Sequence, residues 1–364
     1  MPASTLPDTE TPLGRASSPG IWLLSAYRST SHGAWADWLV DSFKHIRWQR
    51  LELPGRHFRW RIRGNPLSWL DQLSKETPRL ILATSMVDLA TLKGLHPQLA
   101  HIPAIYYFHE NQFAYPLGEQ QHDSVDPQMV QLYGALAADQ LLFNSAFNRE
   151  SFFNGISKLL QKLPDQIPHN LLPRLQDKSA ILPVPIRNFS NSNVHRNPQL
   201  ILWNHRWEYD KNPQRFADAL LQLKQTKQPF QLALLGDRPG KKHAALLQIE
   251  QQLASHIVFN GKANQQAYQH YLQQAAIVVS TAIHEFQGLA VLEAVSAGAV
   301  PLVPDDLCYR EQYPPMFRYP AQDTQALASK LLQMLQHAPA APDVSAWYQQ
   351  NLIDQWAQYL TPSA

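Results

Sequence analysis

The stretch Ser280–Gly298, STAIHEFQGLAVLEAVSAG, decides the reading of the fold. With the residues before it, AIVVSTA is an apolar run of strand length, and LAVLEAVSAG is a small-residue helix. HEFQG is then the turn between them. In a parallel sheet such turns lie at the carboxyl edge, where ligands bind. Gly288 lets the chain turn and lets a ligand approach. Glu285 stands on the turn and Glu293 about one turn into the helix. The helix start offers backbone N–H groups to a phosphate. Carboxylates accept hydrogen bonds from vicinal hydroxyls, as in a sugar or a ribose. The segment fits a phosphorylated sugar ligand. The plainer alternative is an exposed glutamate on an ordinary helix.

Working outward, short apolar runs alternate with helical segments along the chain. IWLLSAY, RLILATSM, AIYYFHEN, QLLFNSA and AILPVPI form one set, and LILWNHR, FQLALLG, IVFNG, AIVVSTA and VPLVPD a second. Continuous apolar strands alternating with helices predict parallel sheets covered on both faces. The polar stretch Arg187–Gln199 is the expected linker. The predicted organisation is a disordered lead over 1–19, α/β domains over 20–190 and 200–340, and a terminal segment over 341–364. In that last segment Trp347, Leu352, Trp356 and Tyr359 recur at helical spacing, so it is expected to pack back on the first domain.

The chain of 364 residues is long enough for two cores, and its net charge of +2 gives no whole-molecule attraction to polyanions. One cysteine, Cys308, excludes a disulfide framework and a cysteine-based zinc site. No run is long enough to span a bilayer, and the lead lacks the apolar core of a signal peptide. A cytoplasmic protein is expected, with no stable membrane insertion.

Two further stretches stand at strand ends. WNHRWEYDKNP places Arg206 and Lys211 in a strand-to-helix loop, where a fork and an ammonium can neutralise a diphosphate. YYFHENQFAYP places His109, Glu110 and Asn111 on the facing side. LLGDRPGKK is a loop near the nucleotide, with Gly236 at the strand end. There is no Asp-x-Asp, no phosphate loop of the Gly-x4-Gly-Lys type and no His-Glu-x-x-His, so no metal is expected. In the first domain RHFRWRIR interleaves Arg56, Arg59, Arg61 and Arg63 with Phe58, Trp60 and Ile62. Cations beside aromatic planes suit an RNA loop. The competing expectation is a twisted edge strand with a solvated basic face, Trp60 packing inward.

EFQGLAVLE resembles the Glu-x7-Glu motif of retaining GT-B glycosyltransferases. The order SAYRSTSHGAW, LPGRHFRWRIRGN, LATSMVDLATL, YFHENQFAYP, LLFNSAFNRESF, WNHRWEYDKNP, STAIHEFQGLAVLEAV and PLVPDDL narrows the resemblance to the tRNA-queuosine mannosyltransferase family. It runs from about Leu23 to Tyr319, and YFHENQ and HRWEYDK are its specific strings. The resemblance implies two doubly wound Rossmann-like domains facing a cleft. It implies mannose transfer from GDP-mannose to queuosine in tRNA, without a cofactor or metal. It also implies that Glu285, with Phe286, Gln287, Gly288 and Leu289, holds the donor sugar and phosphate. Glu293 would hold the ribose, Arg206 and Lys211 the diphosphate, and His109 would sit beside the donor sugar. Ser31, His32, Asn111 and the arginine–tryptophan patch are expected on the acceptor side. AYRSTSHG stands where the wider group has a double-glycine turn. A glycosyltransferase acting on a lipid or polysaccharide is the alternative. A binding module without catalysis would have lost His109 or the phosphate-binding pair, and both are present.

Overall fold

The computed structural model describes residues 20–74, 76–115, 124–162, 166–190, 194–238 and 242–361. The expected lead over 1–19 lies outside them. Two parallel six-stranded sheets carry the fold. The first comprises β1 (Ile21–Arg28), β2 (Trp48–Pro54), β3 (Leu80–Thr84), β4 (Ala104–Phe108), β5 (Gln140–Phe143) and β6 (Ser179–Ile181), in the order β2-β1-β3-β4-β5-β6. The second comprises β7 (Asn197–Trp203), β8 (Gln231–Leu234), β9 (Ile257–Asn260), β10 (Ala275–Val279), β11 (Val300–Pro304) and β12 (Arg318–Tyr319), in the order β12-β11-β10-β7-β8-β9. Helices cover both faces, so β3, β4, β10 and β11 are buried along their whole length.

Two strands had no clear sequence signal. β2 is an edge strand with three charged or polar residues, and β12 has two residues. AILPVPI gives a strand only to Ile181. Pro183 and Pro185 lack the N–H groups that a ladder needs. The extended chain instead finds a side-chain partner. Gln287 Oε1 accepts the Val184 N–H at 2.9 Å, and Gln287 Nε2 donates to the Val184 carbonyl at 2.8 Å.

The stretch expected at best as an edge strand is a helix, Phe58–Ser68. Ile62, Asn65 and Trp69 are buried at helical spacing, and that pattern overrides the local alternation of FRWRIR. Trp60 is 53% exposed and does not join the core. A β-carbon added at Gly64 would lie 2.5 Å from the Trp60 ring, so the indole rests on bare backbone.

The two halves are joined by more than the chain. Glu311, beyond β11, accepts the N–H groups of Ala146 and Phe147 at 2.9 and 3.2 Å, capping the Ala146–Lys162 helix of the first half. The terminal helix Gln349–Leu360 lays Leu352, Trp356 and Leu360 into a cluster with Trp35, Leu39, Tyr107 and Leu182. Trp347 precedes that helix in a short 3-10 turn and packs on the second core. Trp356 is fully buried, with its ring 5.0 Å from Tyr107 and 5.5 Å from Trp35, and its indole donates to the Pro183 carbonyl at 3.3 Å. Trp356→Ala is expected to lower unfolding free energy by about 3–5 kcal/mol, the range for deleting a large buried aromatic. Urea titration checks this, and a loss below about 1 kcal/mol would show the helix to be peripheral.

Candidate functional site

A cleft of about 2390 Å³ lies between the two sheets, large enough for a nucleotide and part of an acceptor. Its lining comes from carboxyl ends of strands: Ser31 and His32 after β1, His109 and Glu110 after β4, Asn204 to Arg206 after β7, Gly236 after β8, and His284 to Gln287 after β10.

The second half supplies the charge. Lys211 is only 8% exposed. Its ammonium donates to Glu285 Oε2 and to the His284 carbonyl, both at 3.0 Å, and lies 3.1 Å from Asp210 Oδ2. Burial would lower its pKa, but the Glu285 and Asp210 carboxylates outweigh burial and raise it. Burial likewise pushes Glu285 up, and Lys211 overturns that effect to hold the carboxyl at about 2. Glu285 Oε1 also accepts the Phe286 N–H at 3.1 Å. Arg206 lies half exposed on the same wall, 3.0 Å from Glu208. Gly288, at φ 64°, begins the Leu289–Ser296 helix. Its missing side chain matters, because a β-carbon there would meet the Tyr309 ring at 2.9 Å. Glu293 lines the cleft one turn on and accepts the Tyr268 hydroxyl at 2.6 Å.

The first half supplies neutral rings. His109 stacks on His32 with centroids 4.1 Å apart and meets Trp35 and Tyr107 edge-on. His32 Nδ1 bonds the Tyr27 carbonyl at 2.9 Å. Burial lowers the His32 pKa to about 4 and takes His109 well below the ordinary histidine value. His109 Nε2 is buried and has no hydrogen-bond partner among the described residues.

Several expectations need correction. Asn111 does not face the cleft. It is fully buried, its amide donating to Asn148 Oδ1 at 2.8 Å and Ser151 Oγ at 2.9 Å while Oδ1 accepts from Ala114 at 2.9 Å. A polar residue inside a core must satisfy each group, and here it anchors the loop after β4. Gln287 reaches the cleft wall, but its amide is spent on Val184, so it clamps the inter-half segment. Arg56 and Arg61 lie outside the lining, whereas Arg59, Trp60 and Arg63 belong to it. Arg63 is paired with buried Asp88 at 2.7 Å.

Among the described residues no group of three or more His, Cys, Asp and Glu could hold a metal ion, and no helix is long and apolar enough to cross a membrane.

Residues 20–186 match the family described as tRNA-queuosine alpha-mannosyltransferase N-terminal, and residues 186–345 match glycosyl transferases group 1. A Drosophila melanogaster protein named tRNA-queuosine alpha-mannosyltransferase is 31% identical over 327 residues, which cover 86% of this chain and 86% of that one. The chain belongs to the tRNA-queuosine alpha-mannosyltransferase family. It is a GT-B glycosyltransferase of the hexosyltransferase class. Sucrose-phosphate synthase from Thermosynechococcus elongatus shares the fold with a TM-score of 0.70 at 14% identity, covering 94% of this chain and 98% of that one. Anabaena HepE, solved with UDP and glucose, gives a TM-score of 0.66 at 14% identity over 95% and 100%. At that identity the likeness extends to the fold alone.

Seen as a member of this mannosyltransferase family, the chain has cleft residues that its sequence did not single out. Asp210, Tyr268 and His284 all line the site. His284 stands beside Glu285 in the motif. Glu110, expected on the facing side with His109, lines it too. Burial pushes its carboxyl from 4.5 up to about 7, against the lowering effect of Arg206 and Lys211 and with the raising effect of Asp210. Its folded pKa is therefore above its unfolded value. Between about pH 4.5 and 7 the folded chain keeps a proton that the unfolded chain has released, so stability falls as pH rises through that window. The melting temperature of wild type relative to Glu110→Gln is expected to fall over that range and level off above it. A constant difference between the two proteins would show that folding does not raise the Glu110 pKa.

Proposed function

We propose that this protein transfers mannose from GDP-mannose to queuosine in tRNA, with retention at the anomeric carbon. The observation that carries the reading is the buried Lys211–Glu285–Asp210 cluster on one wall of a cleft whose other wall carries His109. The family membership directs the choice of donor and acceptor.

In this reading the diphosphate lies against Arg206, Lys211 and the backbone of Gly288 and Leu289. Glu293 takes the ribose, Gly236 lets the nucleotide lie close to the end of β8, and Glu285 and Phe286 border the sugar. The acceptor hydroxyl bonds to the anomeric carbon as the bond to the diphosphate breaks, and its proton passes to the departing GDP. Charge on that diphosphate grows as the bond breaks, so fixed cations stabilise the transition state more than the bound donor. A metal would be redundant in that role. On the acceptor side Ser31, His32, Arg59, Trp60 and Arg63 form the mouth. An exposed indole laid flat on Gly64 beside arginines is a platform for an unstacked base. With tRNA as the partner, this reading makes the protein a cytoplasmic enzyme.

The test is incubation of the protein with GDP-mannose and queuosine-containing tRNA in excess EDTA, followed by mass spectrometry of the nucleosides. A hexose-sized mass gain on queuosine is expected, and tRNA lacking queuosine is expected to gain nothing. Transfer that needs added magnesium or manganese would remove the metal-free reading. No transfer to tRNA, with transfer to a lipid or glycan extract, would move the acceptor to that class.

A further inference from the structure

Tyr268 lies on the Gln265–Gln274 helix, outside every motif that drew attention in the sequence. Its hydroxyl is 2.6 Å from Glu293 Oε2. A carboxylate is acceptor-only, so a hydroxyl at that distance is the donor. Burial, and then the neighbouring Glu293, push the phenol well above its ordinary pKa, which keeps the proton on the tyrosine. The ring is held edge-on by Phe189 with centroids 6.4 Å apart, and the Phe189 carbonyl is fixed by Gln273 Nε2 at 3.0 Å. Asn204 closes the same wall, donating to the Ala290 carbonyl at 2.7 Å. Tyr268, Asn204 and Glu293 all line the cleft.

Glu293 left alone would be a poor recognition group. A glutamate has several rotatable bonds, and ordering them on binding costs affinity. Burial also raises its carboxyl, and the bond from Tyr268 opposes that. With Oε2 held, Oε1 is the oxygen open to a ligand hydroxyl.

We propose that Tyr268 is a positioning residue for recognition of the nucleotide ribose, fixing one oxygen of Glu293 so that the other meets the sugar's vicinal hydroxyls. This rests on the reading of Glu293 as the ribose carboxylate, and the experiment separates the two. Dissociation constants for GDP and for 2′,3′-dideoxy-GDP are measured by calorimetry on wild type, Tyr268→Phe, Glu293→Gln and the double variant. Wild type is expected to prefer GDP. Tyr268→Phe is expected to weaken GDP roughly tenfold, as for loss of a hydrogen bond to a charged group, and to leave dideoxy-GDP unchanged. The double variant is expected to lose no more than Glu293→Gln, because the two residues act as one unit. Equal weakening of both nucleotides by Tyr268→Phe, additive losses in the double variant, or no change at all would overturn the positioning role. A wild type that does not distinguish the two nucleotides would overturn the ribose reading of Glu293, and the role of Tyr268 with it.

Discussion

A single buried ammonium organises the cleft. Lys211 ties together the turn after β7 and the turn after β10, bonding Glu285, the His284 carbonyl and Asp210. An unpaired charge at such burial would be costly, and an unpaired Glu285 equally so. Each makes the other tenable, and the pair keeps both ionised at neutral pH. This wall of the cleft is thus preorganised, with a cation held at fixed depth.

The two halves divide the chemistry. The second sheet carries the charges, clustered where β7, β8 and β10 end. The first sheet presents histidines that burial keeps neutral, and a carboxyl, Glu110, that burial brings to about 7. An imidazole held below its ordinary pKa adds no positive charge to its wall of the cleft. The cleft persists because the halves grip each other at several sites. Glu311 caps a helix across the gap, Gln287 replaces a strand partner for Val184, and the terminal helix seats Trp356 against the first sheet.

Much of this was legible in the sequence because α/β architecture advertises itself. Continuous apolar runs such as AIVV and LILW need burial on both faces, and only a parallel sheet under helices gives it. Strand-end residues then fall at one edge, which brought Glu285, Lys211, Arg206 and His109 into a single cleft. What escaped depended on partners far along the chain. Asn111 and Gln287 were polar residues in promising loops, and only their hydrogen bonds to Asn148 and Val184 show them to be structural. The alternation of FRWRIR mimicked a strand, while Ile62, Asn65 and Trp69 set a helix. Tyr268 carried no motif, because the role proposed for it rests on one contact with Glu293.

The central claim is that Lys211 serves the breaking bond more than the bound donor. Its most direct test is the single-turnover rate of mannosyl transfer by Lys211→Met, measured beside GDP affinity and melting temperature on the same protein. A folded variant that loses about a hundredfold or more in rate, with a much smaller loss of GDP affinity, is the predicted result. A folded variant with near-normal rate, or one losing rate and affinity in equal proportion, would contradict it.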